Sequence, residues 1–198
     1  MKNWKTVPLP ERMKLLPKDP RGYPIPFTVL RDSSGNPHFQ IQDDRLAQYV
    51  IAKRKCSICG QKLGNDMWMV GSPLAAFHPE GGFIDSPVHY ECGAYALQVC
   101  PFLAVPGFIS KLDAEKLQKD SLKGVALVNP SSTLQQPPVF VLAHTQSFSV
   151  TIGFHGIRYI IPQRPFLKSE HWRAGEQISL EEAMSLFMAS YSLGEKNT

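Results

Sequence analysis

Apolar positions in this chain come in short clusters, and their spacing changes from one end to the other. Up to about Pro26, prolines 8, 10, 17, 20, 24 and 26 interrupt every run, so no continuous helix can form and this arm is expected to lie extended. Thr28 to Leu30 and His38 to Ile41 then flank Asp32-Ser33-Ser34-Gly35-Asn36, two strand-like runs about a loop of small polar residues, which predicts a hairpin. Leu46 to Ala52 reads as a short helix or turn. Met67 to Val70 and Ala75 to Phe77, separated by Gly71-Ser72-Pro73, predict a second hairpin. Asp113 to Leu122 is rich in helix-forming Lys, Glu and Gln around Leu117 and predicts a short helix.

The last third is dominated by β-branched and aromatic runs. Val125 to Val128, Val139 to Ala143, Phe148 to Phe154 and Ile157 to Ile161 predict an antiparallel sheet, with His155-Gly156 at a hairpin turn and Asn129 to Pro138 as a surface loop. At the end, Ser179-Leu180-Glu181-Glu182 has the form of a capping box, and Ala183, Leu186, Phe187 and Tyr191 recur at helical spacing. Trp172, a few residues before this helix, is expected to be buried and to anchor it.

Composition narrows the class without naming it. At 198 residues and 43% hydrophobic, the chain can bury a core without a staple. Lys plus Arg number 21 against 17 Asp plus Glu, so the formal net charge is +4, compatible with a weak attraction to acidic partners and with an ordinary solvated surface. Met1-Lys2-Asn3-Trp4-Lys5 is followed by Pro8, Pro10, Glu11 and Arg12 where a signal peptide needs an apolar run, and runs such as Val139 to Ala143 are too short to cross a bilayer. A soluble, cytoplasmic protein is therefore expected, and its four cysteines are expected to be ligands or buried thiols rather than disulfides.

The chemistry lies in two of those pairs. Cys56-Ser57-Ile58-Cys59-Gly60 is a knuckle in which two intervening residues let both thiolates meet one ion, while Gly60 permits the tight backbone after the second ligand. Ser86-Pro87-Val88-His89-Tyr90-Glu91-Cys92 supplies the second pair, with Ser86 expected as N-cap and Pro87 at the first helical position, so that His89 and Cys92 share one face. Knuckle, hairpin and ligand-bearing helix together resemble a treble clef holding structural zinc through Cys56, Cys59, His89 and Cys92. Four protein ligands leave no open position for a substrate water.

Cys100, about 12 Å further along the same expected helix and rotated by roughly 80°, is expected to be a buried thiol against Phe102 and Leu103 rather than a ligand. His78, beside Pro79-Glu80-Gly81-Gly82, reads as a loop histidine.

Around these residues the chain resembles a widespread, uncharacterised group of bacterial and phage proteins. The segments that carry the resemblance are Arg21-Gly22-Tyr23-Pro24, the Cys56 to Gly60 knuckle, Gly71-Ser72-Pro73, Pro87 to Cys92, Cys100-Pro101-Phe102-Leu103 and, more loosely, Trp172-Arg173-Ala174-Gly175 with Glu181-Glu182. The resemblance implies a shared fold and metal site and supplies no activity.

Catalytic readings find less support. A ββα-metal nuclease on a treble clef needs a histidine base on the hairpin, where this chain has Met67, Trp68 and Met69, and Asp85 with His89 gives only a partial pattern because His89 is needed for zinc. His144, His155 and His171 with Glu170 could form an acid/base group, but nothing in the sequence fixes their geometry. There is no Walker loop, no Gly-x-Ser-x-Gly and no dinucleotide fingerprint.

The expected architecture is α+β: residues 1–53 an extended arm and hairpin, 54–106 the zinc unit, and 107–198 a C-terminal α+β region packed on it, with an antiparallel sheet and a terminal helix. The expected function is a zinc-stabilised, non-enzymatic binding or adaptor protein, with a protein partner or nucleic acid as its target and no membrane. Lys53, Arg54 and Lys55 are the candidate nucleic-acid contacts, unless that run is only a solvated strand edge. The alternative is an enzyme, a metal-dependent nuclease or hydrolase, with its site between zinc unit and sheet.

Overall fold

The computed structural model describes residues 3–106, 136–153 and 157–194. Expectations for Asp113 to Leu122, Val125 to Val128, most of Asn129 to Pro138, the His155-Gly156 turn and the Tyr191 side chain lie outside them. The first hairpin forms as its pattern predicts. Strand β1 (Val29–Arg31) pairs antiparallel with β2 (Pro37–Gln42), and Asp32 closes the loop by accepting from the Ser34 and Asn36 backbone N–H groups. Helix α1 (Asp44–Ala52) follows, capped by Asp43, whose carboxylate accepts from the Arg45 and Leu46 N–H groups that a first turn leaves without partners.

Between the two ligand pairs the expected hairpin is absent. Strand β3 (Met67–Gly71) pairs with β4 (Phe140–Thr145), and Pro73–Phe77 is a short helix, α2. The cause is local: Ser72 accepts from the Ala75 N–H as an N-cap and Pro73 stands at the first helical position, so residues read as a turn start a helix instead.

Helix α3 (Tyr90–Val99) also begins later than expected, with His89 rather than Ser86 as its N-cap residue. Val88 exchanges both backbone hydrogen bonds with Trp68, which holds Pro87 and Val88 extended. Helix α3 ends at Val99. Cys100 caps it and leads into α4 (Pro101–Ala104), so Cys92 and Cys100 do not share a helix.

The sheet expected in the last third divides in two. Strand β4 joins a four-stranded antiparallel sheet in the order β3-β4-β7-β8, with β7 at Lys168–Arg173 and β8 at Glu176–Ile178, while β5 (Phe148–Ile152) and β6 (Arg158–Pro162) form a separate ribbon. Helix α5 (Leu180–Gly194) ends the described chain. Ser179 caps it by accepting from the Glu182 N–H, and Ala183 is its buried contact.

Strand alternation gives the four-stranded sheet two distinct faces. The rows Trp68–His144–Lys168, Val70–Leu142–Glu170 and Phe140–Trp172–Gln177 share one face, which α3 covers. Gly93 allows that approach, since a Cβ there would stand 2.9 Å from Leu142 Cδ1. On the other face Met69, Val141 and Ala143 pack with Ala76, Phe83 and Ile160, so α2 and the β5–β6 ribbon close a second core. Arg164 ties the two layers there, donating to the carbonyls of Ala75, Ala76, Pro79 and Gly81 and satisfying groups that the end of α2 leaves free.

The N-terminal arm is packed rather than merely extended. Glu11–Met13 form a turn of 3₁₀ helix, Met13 is buried in the core cluster that contains the ligand cysteines, and Trp4, Val7, Leu9 and Leu16 lie against it. No helix among the described residues is long and apolar enough to cross a membrane.

Candidate metal centre

The knuckle is built by backbone before any metal is considered. The Lys55 and Lys62 backbones bridge, the Cys56 N–H donates to the Gln61 carbonyl, and the Gly60 N–H donates to the Cys56 carbonyl, which folds residues 56–60 tightly. Gly60 has φ +73°, and a Cβ there would meet the Phe27 ring at 2.6 Å, so conformation and space both require glycine. The Cys59 N–H lies 3.4 Å from Cys56 Sγ and points a dipole at that sulfur. The Ser57 N–H donates to the Pro87 carbonyl at 3.2 Å and joins the knuckle to the second ligand pair.

The ligand atoms of Cys56, Cys59, His89 and Cys92 all lie within 4.8 Å of one another, and all four residues are buried. One ion with bonds of about 2.3 Å to sulfur and about 2.0 Å to nitrogen can reach such a set. His89 Nδ1 is 3.3 Å from Cys59 Sγ, while its Nε2 is 3.2 Å from the Lys62 carbonyl. A carbonyl only accepts, so Nε2 carries a proton and Nδ1 faces the sulfurs, where a metal ion would take its lone pair in place of a proton.

Proton sharing within the set points the same way. Hydrogen bonds from Cys56 and then Cys92 hold the Cys59 thiol far below its ordinary range, and hydrogen bonding to Cys56 and Cys59 raises the His89 imidazole to about 10. The Cys92 thiol is pushed up because it keeps a proton shared with Cys56 and Cys59. The four groups thus compete for protons within one small volume, a demand that a bound metal ion is able to meet in their place. Fold and site together define an α+β chain with antiparallel sheets, a C-terminal helix and a cluster of three cysteines and one histidine able to bind a metal ion. No family model, curated protein or solved structure matches it.

The rival ligands lie elsewhere. Cys100 is outside the cluster, half-buried, with its thiol pushed up by burial. His78 is exposed and accepts from the Glu80 N–H. Cys100→Ala should therefore keep the full metal content and cost about 1–2 kcal/mol of packing. Elemental analysis and a melting curve of the variant check both halves of that expectation.

The histidines proposed as an acid/base group do not gather. His144 and Glu170 share the α3 face of the sheet, His171 points to the opposite face beside the Phe77 ring, and His155 is outside the described residues. Adjacent strand residues face opposite ways, so Glu170 and His171 could not have converged. Instead His144 stacks on Trp68 at 4.7 Å and lies 2.7 Å from Asp66, and Tyr90 packs on the same indole at 4.8 Å. Glu170, with 2% of its side chain exposed, accepts from Lys168 at 2.7 Å and from the Tyr90 hydroxyl. The sequence reading missed this group of Asp66, Trp68, Tyr90 and Lys168, since it is assembled from three separate segments. Lys168 neutralises the buried Glu170 there, which fits closure of this corner of the sheet.

The candidate nucleic-acid residues fall on the outer side of the knuckle. Lys53 and Arg54 are exposed and Lys55 is half-buried; Arg54 lies over the Phe148 ring and donates to the Gln146 carbonyl, and Lys55 lies over Tyr49. The bridge between Lys55 and Lys62 adds Lys62 to this edge, a residue seven positions on that the linear run could not reveal.

Proposed function

We propose that this chain is a zinc-stabilised, non-enzymatic binding protein, in the manner of a treble clef, and that the outer edge of its knuckle is offered to nucleic-acid phosphates. Thiolates with one imidazole, four-coordinate and buried, suit zinc, and a complete protein set gives the ion a structural role. The observation that carries the binding surface is the placement of Lys62 across from Lys55, next to Lys53 and Arg54, by the backbone that also presents Cys56 and Cys59. Likeness to the bacterial and phage group is in keeping with such a module, and a protein partner is the alternative target.

With about three phosphate contacts, binding to duplex or single-stranded DNA should be weak and independent of sequence. Between about 50 and 200 mM salt its affinity should fall roughly 40-fold for the duplex and roughly 20-fold for the single strand through counterion release. Fluorescence anisotropy with labelled DNA measures this. Absence of binding at the lower salt, or a Lys53→Ala/Arg54→Ala/Lys55→Ala variant that binds unchanged, would transfer the function to a protein partner.

A further inference from the structure

Beneath the N-terminal arm lies a half-open cavity of about 270 Å³ between the arm and α3. Trp4, Lys5, Val7, Lys18, Gly22 and Tyr95 are among the residues that line it. Its size is near the lower end for a small-molecule site. Its chemistry is uneven in a way that packing alone does not require. Tyr95 is 4% exposed, and its hydroxyl makes no hydrogen bond with any described residue. Its hydroxyl is not among the sealed, unpartnered atoms of the described residues, which are Ser86 Oγ, His171 Nε2 and Trp172 Nε1, so it keeps a small solvent contact, and Tyr95 lines the cavity. A hydroxyl so placed is able to hold a water or to give its proton to a ligand acceptor in the cavity.

Two further features define that something. Lys5 and Lys18 have no carboxylate within ion-pair distance among the described residues, although most other charged groups around the arm are paired, including Arg12 with Glu91 and Arg21 with Asp19. Lys5 Nζ also lies 5.5 Å from the centre of the Trp4 ring, so a cation and a flat aromatic surface adjoin at the mouth. The Trp4 edge is fixed by Tyr23 at 5.7 Å, and Gly22, at φ +87°, leaves only 3.3 Å between a would-be Cβ and the indole. The platform is thus set by its neighbours.

We propose that this cavity binds a small aromatic oxyanion, a flat ring carrying one carboxylate or phosphate. The ring lies against Trp4 and the apolar wall, the oxyanion is met by Lys5 and Lys18, and Tyr95 donates its hydroxyl proton. The site uses none of the metal-cluster or knuckle-edge residues, although Tyr95 belongs to the same core as the cysteines.

Titration calorimetry on the full chain tests it with three probes: indole acetate, a nucleoside monophosphate, and the uncharged indole acetamide. Saturable binding is expected for one of the two oxyanions, and which one binds separates a carboxylate ligand from a phosphate ligand. The acetamide should bind at least ~10-fold more weakly, as should the oxyanion with a Tyr95→Phe variant, the loss that a single charge-assisted hydrogen bond predicts. Lys5→Gln/Lys18→Gln, changes at exposed positions, should weaken binding further without moving the melting temperature. The proposal is overturned if neither oxyanion saturates at millimolar concentration, if the acetamide binds equally well, or if Tyr95→Phe and the lysine variant both leave affinity unchanged.

Discussion

Replacing Cys59 or Cys92 by Ser is expected to remove both the metal and the fold. Wild-type protein should carry one zinc per chain, and the variants none. The size of the effect follows from linkage: the free energy of filling a structural zinc site, on the order of 10 kcal/mol, is folding free energy, because the unfolded chain has no such site. Typical domains are stable by only about 5–15 kcal/mol, so losing most of that term leaves little. The structure adds a reason that the damage should spread. Cys56, Cys59 and Cys92 belong to the same buried cluster as Trp68, Leu97, Phe140 and Trp172, so the site is part of the main core. Acidification should act as the substitutions do, since protons compete with the metal for the three sulfurs. Elemental analysis, circular dichroism and near-ultraviolet spectra measure the three quantities. Native protein without stoichiometric zinc would end the zinc assignment.

Trp172→Ala should be the most damaging single truncation away from the metal, at about 3–5 kcal/mol, or a fall in melting temperature on the order of 10 °C. Trp172 is 7% exposed and stands on the α3 face of β7, opposite Phe140 and within the cluster that includes Leu97 and Val99. Its main partners are therefore the sheet and α3, so its role is wider than that of an anchor for α5. Its indole N–H is buried with no partner among the described residues, so Trp172→Phe loses less: it shrinks the ring but relieves that orphaned donor. Melting curves of the two variants should rank them in that order. An unchanged curve for Trp172→Ala, accompanied by loss of a partner, would make it an interface residue.

The ligand pairs were legible because the requirement is local. Two residues between cysteines and two between His89 and Cys92 set the geometry almost regardless of what surrounds them. The first hairpin, α1 and the capped start of α5 were legible for the same reason, each marked by a turn or a capping residue within a few positions. Strand β7 was not. No strand is expected at Lys168-Ser169-Glu170-His171-Trp172-Arg173, where only Trp172 is expected to be buried, yet it lies between β4 and β8 with Glu170, His171 and Trp172 all buried. Its charges are tolerated because Lys168 and Tyr90 neutralise or bond the one carboxylate that goes inside, and those partners cannot be read from the segment itself. The false hairpin at residues 67–77 failed on two counts: Ser72 and Pro73 start a helix there, and the true partner of β3 lies far along the chain.

That distant pairing has a kinetic consequence. Cys56 and Cys59 are local to each other and the second ligand pair is about 30 residues away, whereas the pairing of Met69 with Ala143 must close a loop of 74 residues. The larger loop costs about 0.8 kcal/mol more in closure entropy than the smaller, and it must close before most of its strand contacts form. The two ligand pairs are therefore expected to meet before β3 and β4 do. Until the strands pair, β3 would stand with one edge bare, and the time that β4 takes to arrive is expected to set how long the nascent chain is open to mispairing with its neighbours.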